Sequence, residues 1–181
     1  GGVVSIQGSR DVPDHVAATL AADIPVTLPG MDGRMKLQAA MDDNGETGFW
    51  ADGRVKSGRF NHRIGAYRMA PDLLFGEITP QKDSRGVYWR GDMRASAMTA
   101  NAGLDLSSTN LDRNPARGGS DATEGYGNLS LRLDRSTSVG AGLSLRDDRP
   151  RTATGLSSRR GAVSGWVSRV TPWGVARFDA N

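Results

Sequence analysis

Apolar and polar residues alternate one by one along most of this chain. In 34–42, Met35, Leu37, Ala39 and Met41 fall on one side and Arg34, Lys36, Gln38 and Asp42 on the other. A period of two marks a strand with one apolar face, because successive side chains of extended backbone point to opposite sides. The pattern returns in 47–56, with Phe49, Ala51, Gly53 and Val55 against Trp50, Asp52, Arg54 and Lys56. It is looser in 60–69, where Phe60, Ile64 and Ala66 share a face, and clearest from Val87 to Ala95. There Val87, Trp89, Gly91, Met93 and Ala95 oppose Tyr88, Arg90, Asp92 and Arg94. Ala102, Leu104 and Leu106 then alternate with Gly103, Asp105 and Ser107. Leu129, Leu131 and Leu133 alternate with Asn128, Ser130, Arg132 and Asp134, and Val139, Ala141, Leu143 and Leu145 with Gly140, Gly142, Ser144 and Arg146. A last hairpin is expected over 161–170 and 175–180 around Thr171-Pro172-Trp173-Gly174.

Turn chemistry punctuates these runs. Asn44-Gly45 and Ser57-Gly58 supply residues that tolerate positive φ. Further reversals are expected near Thr99-Ala100-Asn101 and at Arg135-Ser136-Thr137. Three longer polar connections are expected at 70–86 (with Pro71 and Pro80), 108–124 (with Asn114-Pro115 and Gly118-Gly119) and 147–160. The first third reads less clearly. Val3–Gln7 suggests a strand and Asp11-Val12-Pro13-Asp14 a turn. The stretch 15–23 suits either a short helix or a strand running into Ile24-Pro25-Val26-Thr27, and 29–33 reads as a linker. The expectation is therefore an all-β chain of consecutive antiparallel hairpins, an up-and-down meander over 34–181, preceded by a segment 1–33 of undetermined structure. No long stretch shows a helical period, and no repeat is strict enough for a solenoid.

Three features bear on what such a meander is for. After Met69 the expected connections run long, short, long, short, long, short, the parity of membrane barrels. Several strands reach about 9–11 residues, enough to cross a bilayer when tilted. Arg90, Asp92, Arg94, Arg132, Asp134 and Arg146 occupy the polar side, as a water-filled lumen would allow. Trp50, Tyr88, Trp89, Tyr126, Trp166 and Trp173 lie near expected strand ends, where interfacial girdles favour Trp and Tyr. On 126–148 and 161–180, with 87–107 behind them, the chain resembles Gram-negative outer-membrane β-barrel proteins of the porin-like or usher-like kind. That resemblance implies a closed transmembrane β-barrel of which this chain is all or part, lipid around it, and passage of a solute or polymer through the outer membrane. A soluble periplasmic or extracellular β-sandwich that binds carbohydrate or protein is the alternative, and a cell-surface adhesion module a third reading. The chain opens on Gly1-Gly2 and closes on Asn181 inside a strand pattern, so it is expected to be a piece of a longer protein.

Composition narrows the chemistry. The net charge is +3, with a pI near 9.7 because lysine occurs only at positions 36, 56 and 82 and the other cations are arginine. Bases and acids are interleaved, which argues against nucleic acid, whose binders gather charge on one patch. Arginines Arg90, Arg94, Arg132 and Arg146 would favour an anionic solute or polymer if they face a lumen; otherwise they pair with Asp92 and Asp134 across strands. With no cysteine there is no disulfide, thiolate nucleophile or thiolate metal site. His15 and His62 share no spacing, and neither has a local orienting carboxylate. Asp42-Asp43-Asn44-Gly45-Glu46 reads as a turn rather than a calcium loop, and Asp147-Asp148 as solvated. Gly125-Tyr126-Gly127 and Gly140-Ala141-Gly142 lie in strand patterns, where glycine marks a bulge or bend rather than a dinucleotide site. Ser96 and Ser164 lack a nucleophile elbow. The chain is expected to hold no metal or cofactor and to catalyse nothing. No apolar run approaches the 18–20 residues of a membrane helix.

Overall fold

A computed structural model describes residues 2–8, 16–73, 82–153 and 155–181. Among these residues eleven strands follow one another: β1 (Gly2–Gly8), β2 (Val16–Leu28), β3 (Met31–Asp42), β4 (Thr47–Ser57), β5 (Phe60–Met69), β6 (Ser84–Arg94), β7 (Met98–Thr109), β8 (Ser120–Arg132), β9 (Thr137–Pro150), β10 (Ser158–Thr171) and β11 (Gly174–Ala180). Each pairs antiparallel with the next, so the spatial order is the chain order. The up-and-down meander is thus an open sheet of neighbours in sequence, with no helix among the described residues. Also among these residues, no pairing joins β11 to β1.

The ambiguous stretch 16–23 is strand, and it continues through Leu28. Alanine's helix preference loses to a ladder that pairs β2 with β3 from Ala17 to Leu28. Pro25 is tolerated because β1 pairs only as far as Ala22, so the missing N–H removes no bond from that side. His15, the turn at Asp11-Val12-Pro13-Asp14 and Pro80 lie outside the described residues. The expected linker 29–33 is only the turn Pro29-Gly30: Gly30 takes φ +75° there, and Met31, Asp32 and Gly33 already belong to β3. Among the described residues, β1 pairs with β2 and β2 with β3 in the same sheet.

Strands extend beyond their apolar stretches. β8 starts at Ser120 and β9 runs to Pro150, leaving connections of only 110–119 and 151–157. Main-chain hydrogen bonds need no apolar side chains, so polar ends continue the ladder. The reversal expected at 99–101 falls instead at 95–97, closed by Ala95 and Met98, whose N–H groups each donate to the other's carbonyl. Thr99, Ala100 and Asn101 are in β7. The turn expected at 135–137 is 133–136. Long and short connections nonetheless alternate from Met69 onward: 70–83, 95–97, 110–119, 133–136, 151–157, 172–173.

The long-connection end is tied together. Leu73 is fully buried, and Asn110, at φ +55°, is 1% exposed. Asn110 accepts from the Asn114 amide at 2.8 Å and donates to the carbonyls of Asn114 (2.9 Å) and Arg117 (2.8 Å). Asp83 accepts from the Leu111 amide at 2.6 Å, joining this loop to the preceding one. Elsewhere there is almost no interior. Among the described residues the buried apolar side chains are Ala17, Ala40, Met69 and Leu73. The chain exposes 12616 Å², whereas a compact globular chain of this mass exposes about 8,400 Å². One layer of sheet, with both faces open, accounts for the excess.

Candidate functional site

Register assigns every strand residue to a face, because directly paired residues share one. One face is apolar: Ile64, Trp89, Leu104 and Leu145 lie along one row, with Gly125 between the last two. The next row runs His62, Gly91, Ala102, Gly127, Leu143 and Val163. These side chains are open, Val163 to 75% and Leu143 to 60%. His62 stacks between Phe60 and Trp89 with ring centroids 6.1 Å apart on each side. Its Nδ1 is buried with no hydrogen-bond partner among the described residues. His62 therefore belongs to an aromatic stack, away from the neighbouring Arg63 on the opposite face.

The other face carries the charges. Its central feature is a row of four arginines placed directly opposite one another on adjacent strands: Arg34 on β3, Arg54 on β4, Arg63 on β5 and Arg90 on β6. Like charges in register repel. The row on one side supplies compensation, because it reads Asp23, Lys36, Asp52, Gly65, Tyr88 and Asp105. Asp23 lies 3.2 Å from Arg34, Asp52 lies 3.6 Å from Arg54 and 2.5 Å from Arg63, and Asp105 lies 3.6 Å from Arg90. Asp52 is 3% exposed and also accepts from the Tyr88 hydroxyl at 2.5 Å. The Tyr88 ring lies beside both Arg63 and Arg90, 5.7 and 5.4 Å from their guanidinium carbons. The row on the other side reads Asp32, Lys56, Asn61 and Asp92. A cavity of about 700 Å³ opens over all three rows, lined by the four arginines, Lys36, Lys56, Asn61 and the carboxylates of Asp23, Asp32, Asp52 and Asp92. Neither lysine is ion-paired among the described residues.

The residues singled out in the sequence divide between places. Arg90 and Asp92 line this cavity, but they do not pair with one another: Asp92 accepts from Asn61 at 2.9 Å. Arg146 shares the polar face further along, bound to Glu124 (3.1 Å) and Asp148 (2.7 Å). Arg94 and Arg132 end their strands at the short-turn edge. Asp134 is not on a strand face. It sits in the β8–β9 turn, where its carboxylate accepts from the amides of Ser136 (2.6 Å) and Thr137 (2.7 Å) and from the Ser136 hydroxyl (2.8 Å). Those donors hold its pKa down at about 2. Asp42 plays the same part at 43–46, capping the amides of Asn44 and Glu46.

The aromatics also need correcting. Trp50, Tyr88, Tyr126 and Trp166 lie on the polar face, whereas an interfacial girdle would set them on the apolar one. Each of three covers the glycine directly across from it: Tyr88 over Gly65, Tyr126 over Gly103 and Trp166 over Gly140. Tyr67 covers Gly86 in the same way. A β-carbon at these glycines would collide with the ring, which accounts for Gly140 among the glycines that looked like bulge markers; at Gly125 and Gly127 a β-carbon would make only ordinary contacts, and at Gly142 it would meet the Asn128 and Ser164 side chains. The register of β8 with β9 passes through 125–127 and 140–142 unbroken. Trp89 does lie on the apolar face, at mid-strand, and Trp173 projects from the last turn, 96% exposed. The sequence reading missed Arg34, Arg54, Arg63 and Asp52 as a group, since only pairing brings them together.

No protein-family model, no curated protein and no solved structure matches this chain. Among the described residues no helix is long and apolar enough to cross a membrane, which says nothing of crossing by strands.

Proposed function

We propose that this chain is a segment of an outer-membrane β-barrel of a Gram-negative bacterium, with a pore, transport or export role. The observation that carries the reading is the open apolar face, backed by a charged one. Leu143, Val163, Ile64 and Leu104 each expose more than two-fifths of their surface, on strands with no second layer over them. Apolar surface on this scale needs a cover, at about 25 cal/mol per Å² withdrawn from water. Lipid provides one, and closure of the sheet would turn the charged face into a polar lumen. Strands β2 to β10 have 10 to 14 residues, long enough to span the hydrocarbon at a tilt. The alternation of long and short connections after β5 fits two unlike sides of a membrane.

The test is extraction of the full-length protein from a membrane fraction, first with alkaline carbonate and then with mild detergent, followed by gel mobility with and without boiling. A barrel stays with the membrane until detergent is added and changes mobility on boiling. A protein that is soluble without detergent must cover its apolar face with another protein layer, and the membrane reading then fails.

A further inference from the structure

The arginine row has a feature that structural ion pairing does not exhaust. Four guanidinium groups stand in register on strands spaced about 4.8 Å apart, so the row extends about 14 Å. Among the described residues three carboxylates serve these four cations, all from one flanking row: Asp23, Asp52 and Asp105. Each guanidinium has five N–H donors in a flat fork suited to oxyanions. Arg34 and Arg54 leave 71% of their side-chain surface open, and Arg63 and Arg90 nearly half. Lys36 and Lys56 add two further cations to the lining of the same cavity.

We propose that Arg34, Arg54, Arg63 and Arg90, with Lys36 and Lys56, form a binding site for an extended saccharide bearing carboxylates at intervals. The cations recognise the carboxylates. Asp32, Asp92 and Asn61, on the flank that does not hold the arginines, present acceptors and an amide to hydroxyl groups between them. The same carboxylates repel a densely charged chain such as a polyphosphate, because charges crowded along it would lie against Asp32 and Asp92 as well as the arginines. The 700 Å³ cavity lies within the range of small-ligand sites. Access to the site through a lumen rests on the barrel reading; the recognition chemistry does not.

Isothermal titration of the detergent-purified full-length protein tests the site, with trigalacturonate as probe, maltotriose as its neutral counterpart and tripolyphosphate as the dense anion. Trigalacturonate is expected to bind saturably at low salt and more weakly as salt rises. The double variant Lys36→Gln/Lys56→Gln, which breaks no ion pair between described residues, is expected to lower its affinity about tenfold. The double variant Arg34→Gln/Arg54→Gln should lower it further. Saturable binding of maltotriose or tripolyphosphate as tight as that of trigalacturonate overturns the ligand class. Absence of saturable trigalacturonate binding up to about 10 mM, or affinity unchanged in both double variants, overturns the site. Heat-modifiable mobility of the same preparation reads barrel closure separately. A protein that binds without that mobility change refutes only the barrel, and one with the change that binds nothing refutes only the site.

Discussion

Replacing Gly65 with alanine tests the packing that holds the arginine row. An added β-carbon would stand 2.5 Å from Cε1 of Tyr88 and closer still to its Cζ and hydroxyl. Carbon atoms in ordinary contact sit at about 3.5–4.0 Å, so the ring must shift by about 1 Å or more. Its hydroxyl would then leave the Asp52 carboxylate, which it now reaches at 2.5 Å. A hydrogen bond to a charged acceptor contributes about 1.5–3 kcal/mol. Loss of the ring's contacts with Arg63 and Arg90 adds about 0.5 kcal/mol each. Gly65→Ala should therefore destabilise by about 2.5–4 kcal/mol. Gly125→Ala is the matched control: its β-carbon would find atoms only at 3.8 and 4.0 Å, so the loss of unfolded-chain freedom should stabilise by about 0.4–1 kcal/mol. Urea unfolding followed by tryptophan fluorescence measures both. In a Tyr88→Ala background the cost of Gly65→Ala should nearly vanish, since the colliding ring is gone. Equal stability of the two alanine variants, or an undiminished Gly65→Ala cost without Tyr88, would mean that the ring does not set the cost at Gly65.

Three further outcomes follow from other parts of the sheet. Asn110→Ala should cost about 3–4 kcal/mol, about 1 for each of three hydrogen bonds and the rest for a positive φ; Asn110→Gly should cost about 1 kcal/mol less. Equal rates of proteolytic nicking in 110–119 for the two variants would contradict this. Asp134 has its folded pKa lowered from 3.8 to about 2, so its carboxylate stabilises the turn above pH 4 and that contribution is lost as pH falls towards 2. The stability gap between the protein and Asp134→Asn should close over that window in acid unfolding curves, and a gap independent of pH would speak against it. Leu143→Lys, on the apolar face, should lower the folding stability in lipid vesicles by about 2–4 kcal/mol, while Ser144→Lys on the opposite face should be tolerated. Equal tolerance of both would count against lipid as the cover.

The strands from β3 onward were legible because period-two alternation records burial on one side, and β5 begins and ends where the pattern does, at Phe60 and Met69. The ends of β8 and β9 were not, because Ser120–Glu124 and Asp147–Pro150 carry no apolar alternation and are held by the ladder and by ion pairs such as Arg146 with Glu124 and Asp148. β2 was obscured by its alanines, whose helix preference is a local term that pairing on both sides outweighs. The aromatics misled for a different reason. Tyr88, Tyr126 and Trp166 were read by their position along a strand, but their place is set by the glycine opposite, and no single-strand pattern shows what lies opposite.

The same limit hid the candidate site, and it shows what kind of information the site contains. Arg34, Arg54, Arg63 and Arg90 are each one cation in a mixed strand, and nothing in their spacing of twenty, nine and twenty-seven residues sets them apart. Turn length decides that they meet: Ser57 and Phe60 close the β4–β5 hairpin, and from there the register carries Arg54 onto Arg63. A one-residue slip would turn β5 over and place Ile64 or His62 opposite Arg54. The apolar face forbids that slip, since Arg63 would then lie beside Trp89 while Phe60, His62 and Ile64 turned onto the charged face. The two faces are thus coupled. The apolar alternation fixes the register, and the register builds a row of like charges that the Asp52–Tyr88–Gly65 packing must then hold in place.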